Sequence, residues 1–375
     1  MIAANIPTGF VCPQLRKVAW ISTTHRTFTN LFVSSRLTAF EFSASNINAV
    51  AGLASVMAEL RTPCLQTLDI VSPPLEDPLL TTVTTALSSF VLRCGFSLTR
   101  IVILMPLTDA AIRHIMQLPE LIIWETTNGL PDVPGLSPLD TFPKLERLCL
   151  HTAEALNWLP FFKTDAHRTS SNRVTHTPRN RGPYQTLTTI DYKFGGPCQV
   201  DAALMSPVML FRGLNILRLR WTCSTGWCGF HLTDDDVGEI ATALPNLVSL
   251  DLGGPCPDDS CQTTIASLLI ISTCCKHLKK LRTHFRMWNI LRDIESMPDN
   301  PRLHGLFQLP RCGVEGLSML QASLLLSSDH CKRVAEELIN IFPSLHWIYG
   351  GSLGWHFVAL ELGNLRDSCY PPLSA

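Results

Sequence analysis

Apolar positions along this chain fall into a short figure that recurs from one end to the other: a Leu, two variable residues, an apolar residue, one variable residue and often another apolar one. It reads Leu15-Arg-Lys-Val18-Ala-Trp20, Leu37-Thr-Ala-Phe40-Glu-Phe42, Leu65-Gln-Thr-Leu68-Asp-Ile70 and Leu98-Thr-Arg-Ile101-Val-Ile103. It continues through Leu121 with Trp124, Leu145-Glu-Arg-Leu148-Cys-Leu150, Leu187-Thr-Thr-Ile190-Asp-Tyr192, Leu214-Asn-Ile-Leu217-Arg-Leu219, Leu247-Val-Ser-Leu250-Asp-Leu252, Leu278-Lys-Lys-Leu281 and Leu345-His-Trp-Ile348. Side chains alternate between the two faces of a strand, so each copy predicts a short strand with one face buried. Proline stands two residues before the leading Leu at Pro13, Pro63, Pro119, Pro143, Pro245, Pro301 and Pro343. It has no N–H for a helix interior and pushes its predecessor toward extended backbone, so each proline predicts a helix ending just ahead of a strand. Upstream, Thr233-Asp-Asp-Asp236 offers a helix cap with acids at the positive end of the dipole, followed by Val237, Ile240, Ala241 and Leu244 on one face. Val334, Leu338, Ile341 and Phe342 form a similar face before Pro343.

The leading leucines are spaced from 22 residues (Leu15 to Leu37) to 42 (Leu145 to Leu187) as far as Leu278. Several spacings match the unit length of a leucine-rich repeat, and the longer ones leave room for insertions. The gap from Leu278 to Leu345 must hide a degenerate unit, whose strand is either Leu303-His-Gly-Leu306 or Leu317-Ser-Met-Leu320. One such unit cannot bury its apolar side, so neighbours must stack. The expected fold is a curved α/β leucine-rich-repeat solenoid over residues 1–375, with strands on the concave face and helices on the convex one. A doubly wound α/β domain also alternates strand and helix, but it does not repeat one side-chain motif at every strand.

Phe142-Pro-Lys-Leu-Glu-Arg-Leu-Cys-Leu150, the run from Leu232 to Leu252, and Val334-Ala-Glu-Glu-Leu-Ile-Asn-Ile-Phe-Pro-Ser-Leu345 resemble the repeat region of fungal F-box/leucine-rich-repeat proteins. The resemblance implies a ubiquitin-ligase adaptor whose repeats hold a protein substrate. No F-box is visible, because the first repeat already begins at Leu15. A cullin-ligase adaptor subunit is therefore an expected partner only if an F-box precedes Met1, and a repeat-only scaffold is the alternative. Leu118-Pro-Glu-Leu-Ile-Ile123 looks superficially like an F-box opening but occupies an ordinary proline-x-leucine repeat position.

Composition narrows the function more than the fold. Lys and Arg number 30 against 31 Asp and Glu, which removes any global charge argument for nucleic acid or an anionic membrane. With 46% hydrophobic and 16% charged residues the chain can bury a continuous core. Fourteen cysteines without a small-domain disulfide spacing, and a start lacking a basic region and a long apolar stretch, point to reduced thiols in cytoplasm or nucleus. The apolar run near Ile265 to Ile271 is far short of the roughly 20 residues that span a bilayer, so no transmembrane helix is expected.

Candidate chemistry is sparse. Gly350-Gly-Ser352-Leu-Gly354 matches the nucleophile-elbow pattern, making a serine hydrolase built on Ser352 the alternative of another class. However, His356, Glu361 and Asp367 follow too closely to come from separate later strands, and no oxyanion loop of the matching type lies upstream. Cys223 and Cys228 recur at the same offsets as Cys256 and Cys261 in the next repeat, a candidate for tetrahedral zinc. The segment 163–183 carries Lys163, Arg168, Arg173, Arg179 and Arg181 against Asp165 and is expected to be a mobile insertion. No Walker loop, HExxH helix or dinucleotide fingerprint occurs, so the chain is expected to be no enzyme and to need no cofactor.

Residues flanking the core positions of each strand should line the concave face. They make it acidic early, at Glu41, Asp69 and Glu125, and basic later, at Arg218, Arg220, Lys280, Arg282 and His284, with Asp251 among them and Trp347 and Tyr349 at the end. Arg, Trp and Tyr are common interface anchors, so this set is the expected partner-binding surface.

Overall fold

The computed structural model describes residues 14–22, 36–44, 47–60, 62–73, 78–94, 96–128, 142–152, 186–194, 200–206, 208–220, 231–253, 263–283, 313–319, 327–350 and 353–369. The chain forms two compact units, the first made of Met1–Thr152 with Asn157–Leu187 and the second of Ala153–Leu156 with Thr188–Ala375.

In the first unit the strands are β1 (Lys17–Ser22), β2 (Ala39–Ala44), β3 (Thr67–Val71), β4 (Arg100–Ile103), β5 (Ile123–Thr126) and β6 (Arg147–Thr152). Each pairs in parallel with the next in sequence. Behind them lie α1 (Ile47–Glu59), α2 (Leu79–Arg93) and α3 (Asp109–Met116), packed α1 on α2 and α2 on α3. The second unit repeats the plan with β7 (Thr189–Phe194), β8 (Ile216–Arg220), β9 (Ser249–Leu252), β10 (Lys280–Thr283), β11 (Gly316–Met319) and β12 (Trp347–Gly350), again parallel and in sequence order. Its helices are the single turn α4 (Ala202–Met205), α5 (Asp234–Ala243), α6 (Ile265–Cys274), α7 (Ser328–Ile341) and α8 (Leu353–Cys369).

The apolar figure explains the stacking. In register across the strands of the first unit run Phe40, Leu68, Ile101, Trp124 and Leu148, and across those of the second Ile190, Leu217, Leu250, Leu281, Leu317 and Ile348. All of these are buried, as are the leading residues of the motifs from Leu37 onward. Fully burying one such side chain is worth about 1.5–3 kcal/mol, and the repetition supplies the core. With strands in sequence order, one motif per strand and helices on the opposite side, each unit is an α/β leucine-rich-repeat array.

The prolines do more than stop helices. The N–H of the leading residue donates to the carbonyl three residues earlier at Leu65 to Thr62, Leu145 to Phe142, Leu214 to Phe211, Leu247 to Leu244, Leu278 to Cys275 and Leu345 to Phe342. Pro63, Pro143, Pro245 and Pro343 thus occupy the second position of a β-turn, where their fixed φ is already correct. Next comes a shared acceptor. The carbonyl of Thr38 takes the N–H groups of both Gln66 and Thr67, and Gln66, Thr99, Ile122, Thr188, Asn215, Val248 and Lys279 do the same for the strand that follows each.

The degenerate repeat is β11, but its motif is not the expected Leu317-Ser-Met-Leu320. Leu317 pairs with Leu281, so the leading position, three residues earlier, is Val314, which is fully buried. A Val in place of the Leu broke the pattern. The alternative strand at Leu303 lies outside the described residues, as do the 163–183 segment, His284, Ser352 and Cys223, Cys228, Cys256 and Cys261.

Candidate binding face

The sheet face away from the helices carries the outward residues of every strand, and in both units their charges pair across strands. In the first unit Lys17 meets Glu41 at 2.6 Å, Arg100 meets both oxygens of Asp69 at 3.2 Å, and His151 lies 3.1 Å from Glu125. Burial lifts the Asp69 carboxyl above its usual range, opposed by Arg100 and reinforced by Glu41 and Glu125. The expectation of an acidic early face is corrected here. Lys17, Arg100 and Arg147 occupy the first outward position of their strands, two residues before the row of acids, and the face is balanced.

In the second unit the central row reads Asp191, Arg218, Asp251, Arg282, Ser318 and Tyr349 in successive strands. Asp191 holds two guanidinium groups, Arg220 at 2.5 and 2.8 Å and Arg218 at 3.4 Å. Its role was missed by sequence reasoning, although it occupies the same motif position as Asp251. Asp251 is only 8% exposed. Its nearest cation is Arg282 at 3.7 Å, beyond hydrogen-bonding distance, and its Oδ1 accepts no hydrogen bond. Burial pushes the Asp251 carboxyl up to about 6 even though Arg282, Arg220 and Arg218 pull it down; Asp191 adds to the rise.

Trp347 and Tyr349 project from β12, 48% and 68% exposed. Lys280, Gly316 and Trp347 share one row. A Cβ on Gly316 would lie 1.9 Å from Trp347 Cζ2, so the indole rests on the bare backbone of β11. Among the described residues, the outward positions of the second unit hold Lys193, Arg218, Arg220, Lys280 and Arg282 against Asp191 and Asp251.

Of the residues that the hydrolase reading needs, His356 and Glu361 sit on α8, five positions apart. At 3.6 residues per turn that is about 140° around the helix, so the two side chains leave on different sides. Cys64, Cys94, Cys149, Cys274, Cys275 and Cys331 are free thiols. No helix among the described residues is long and apolar enough to cross a membrane.

Fold and face together define an α/β leucine-rich-repeat array with an open strand face. No family model matches the chain, and no curated protein matches it. Among solved structures it is similar to the leucine-rich repeat-containing protein LegL7 from Legionella pneumophila, at 10% identity and a TM-score of 0.32 over 93% of this chain and 85% of that one.

Proposed function

We propose that this chain is a protein-binding module whose partner docks on the open strand face. The observation that carries the reading is the second unit's outward surface, where cations outnumber carboxylates five to two beside two exposed aromatics. Arg, Trp and Tyr supply much of the energy of protein interfaces. Arg218, Arg220, Asp251, Lys280, Arg282, Trp347 and Tyr349, with His284 on sequence grounds, form the proposed surface. The finer reading is substrate recognition of the F-box/leucine-rich-repeat kind in cytoplasm or nucleus, with a repeat-only scaffold as its alternative.

The test is site-specific photocrosslinking in cells, with the crosslinker at Lys280 on the strand face or at Glu239 on the exposed side of α5. Adducts specific to Lys280 are expected; equal adducts from both positions would remove the reading. Cullin-ligase subunits among the co-purified proteins separate adaptor from scaffold. Labelling by a fluorophosphonate probe that Ser352→Ala abolishes would replace the binding reading with a hydrolase.

A further inference from the structure

Arginine–carboxylate contacts on the strand faces are of two kinds. Arg100 donates from Nε to both oxygens of Asp69 at 3.2 Å, and Arg220 donates from one Nη to both oxygens of Asp191 at 2.5 and 2.8 Å, so each holds its acid directly. Arg282 does not. Among the described residues its one carboxylate contact is Asp251 at 3.7 Å, its buried Nε has no hydrogen-bond partner, and the side chain is 38% exposed. The acid facing it, Asp251, also has an unused oxygen. Neither half of this rung is held by a direct hydrogen bond to the other, whereas Arg100, Arg218 and Arg220 each reach an acid within hydrogen-bonding distance.

The surroundings identify what the exposed part of the Arg282 side chain would meet. Lys280 lies two residues before Arg282 on the same face and is exposed. Ser318 and then Tyr349 follow Arg282 in its row, and Gly316 and then Trp347 follow Lys280 in the adjoining one. At about 4.8 Å between strands, the backbone that carries the aromatic pair runs roughly 10 Å from the backbone that carries the cations. Because Gly316 has no side chain, the indole fills the space between them. That distance is close to three residues of extended chain.

Resting on the strand-face reading above, we propose that Arg282 and Lys280 anchor a carboxylate side chain of an extended acidic peptide segment. Trp347 and Tyr349 receive an aromatic residue of the same segment, and Asp251 is a built-in competitor for the anchor. A protein segment fits better than a nucleic acid, because Asp191 and Asp251 interrupt the basic row and would repel a continuous phosphate backbone. Asp251 faces Asp191, Arg218 and Arg220 on the preceding strands and Arg282 and Lys280 on the following one. Its ionised form holds the field of Arg282 inward; protonation, with a midpoint near 6, releases that field. Peptide glutamates titrate lower, at about 4.3, so the segment stays charged while its competitor is neutralised.

The experiment is fluorescence anisotropy of the full chain with a short labelled peptide of alternating Glu and Tyr, a Gln/Tyr peptide as charge control and single-stranded oligothymidine as nucleic-acid control. Binding of the Glu/Tyr peptide is expected to tighten several-fold from about pH 7.5 to about pH 5.5. Arg282→Gln weakens it about tenfold at the lower value, equivalent to about 1.4 kcal/mol, and less at the higher, where Asp251 already competes for the guanidinium. The more exposed Lys280→Gln weakens it less and guards against a misfolded Arg282 variant. Asp251→Asn binds at the higher pH as the unaltered chain does at the lower, with no pH slope.

An unchanged affinity in Arg282→Gln, or a retained slope in Asp251→Asn, overturns the proposal. If Arg218→Glu/Arg220→Glu abolishes binding while Arg282→Gln does not, the strand face stands and this anchor falls. Tighter binding of oligothymidine, or no binding of the Glu/Tyr peptide, also overturns it, and crosslinking from Lys280 then decides separately whether the face is an interface.

Discussion

Asp251 shows what a single side chain can contribute against folding. Its folded carboxyl titrates near 6 against an ordinary value of 3.8, so the folded chain holds this proton more tightly than the unfolded chain does. The associated stability is present at the acid end and is lost as pH rises from about 4 to about 6, by on the order of 2–3 kcal/mol. Denaturant titrations of the unaltered chain and Asp251→Asn should diverge across that window, with the Asn variant lacking this fall. Asn128 contributes the other way: its Oδ1 accepts from Leu107 N–H at 2.8 Å, and its Nδ2 donates to the Met105 carbonyl at 2.9 Å. Asn128→Ala leaves both groups unpaired and should cost roughly 2–4 kcal/mol, measured as a lower denaturation midpoint at unchanged slope. At this scale the sequence told which face a residue lies on, because strand alternation decides that. It did not tell which acid each arginine would choose. Arg220 reaches back to Asp191, and the early acids are matched by Lys17 and Arg100, because pairing depends on how long side chains lean across strands.

Elements were legible wherever a local signal had a local cause. Thr233 caps α5 in a full capping box with Asp236, and Val237, Ile240 and Ala241 are its buried face, as the pattern predicts. Thr233→Ala should cost about 1 kcal/mol by thermal denaturation. Leu244, expected on the same face, is the residue that ends the helix, and Phe342 plays that part after α7. The strand β11 was harder to see, since Val314 replaces the expected Leu and its register comes from its pairing with β10 and β12. Gly316→Ala gives a direct reading of the shelf. Its Cβ cannot coexist with the indole where it lies, so Trp347 must swing away, with a shifted and more quenchable tryptophan emission.

For the molecule as a whole, repetition made the architecture readable. One apolar figure recurring at every strand has few solutions other than stacking. Two edges of each unit behave differently. From helix into strand, Ala243 to Ser249, Cys274 to Lys280 and Ile341 to Trp347 are each a step of six positions, and the corresponding steps in the first unit are seven or eight. From strand into helix the distances vary: Ala44 to Ile47 is three, Val71 to Leu79 eight and Arg220 to Asp234 fourteen. A short Gly/Ser insertion between Arg220 and Asp234 should therefore leave the unfolding midpoint within about 1 kcal/mol. The same insertion between Ala243 and Ser249 should be severely destabilising, because it breaks the turn at Leu247 and the carbonyl of Asn215 that seats Val248 and Ser249.

The doubly occupied carbonyls at the start of successive strands reach beyond stability. By fixing where each strand begins, they make the outward surface of each unit a ruler with a constant graduation of about 4.8 Å, whatever the chain adds elsewhere. A ligand read along that ruler is measured by the spacing of its side chains as much as by their kind. Moving a charge by one residue in a bound segment would set it between graduations, and affinity should then rise and fall with position in steps.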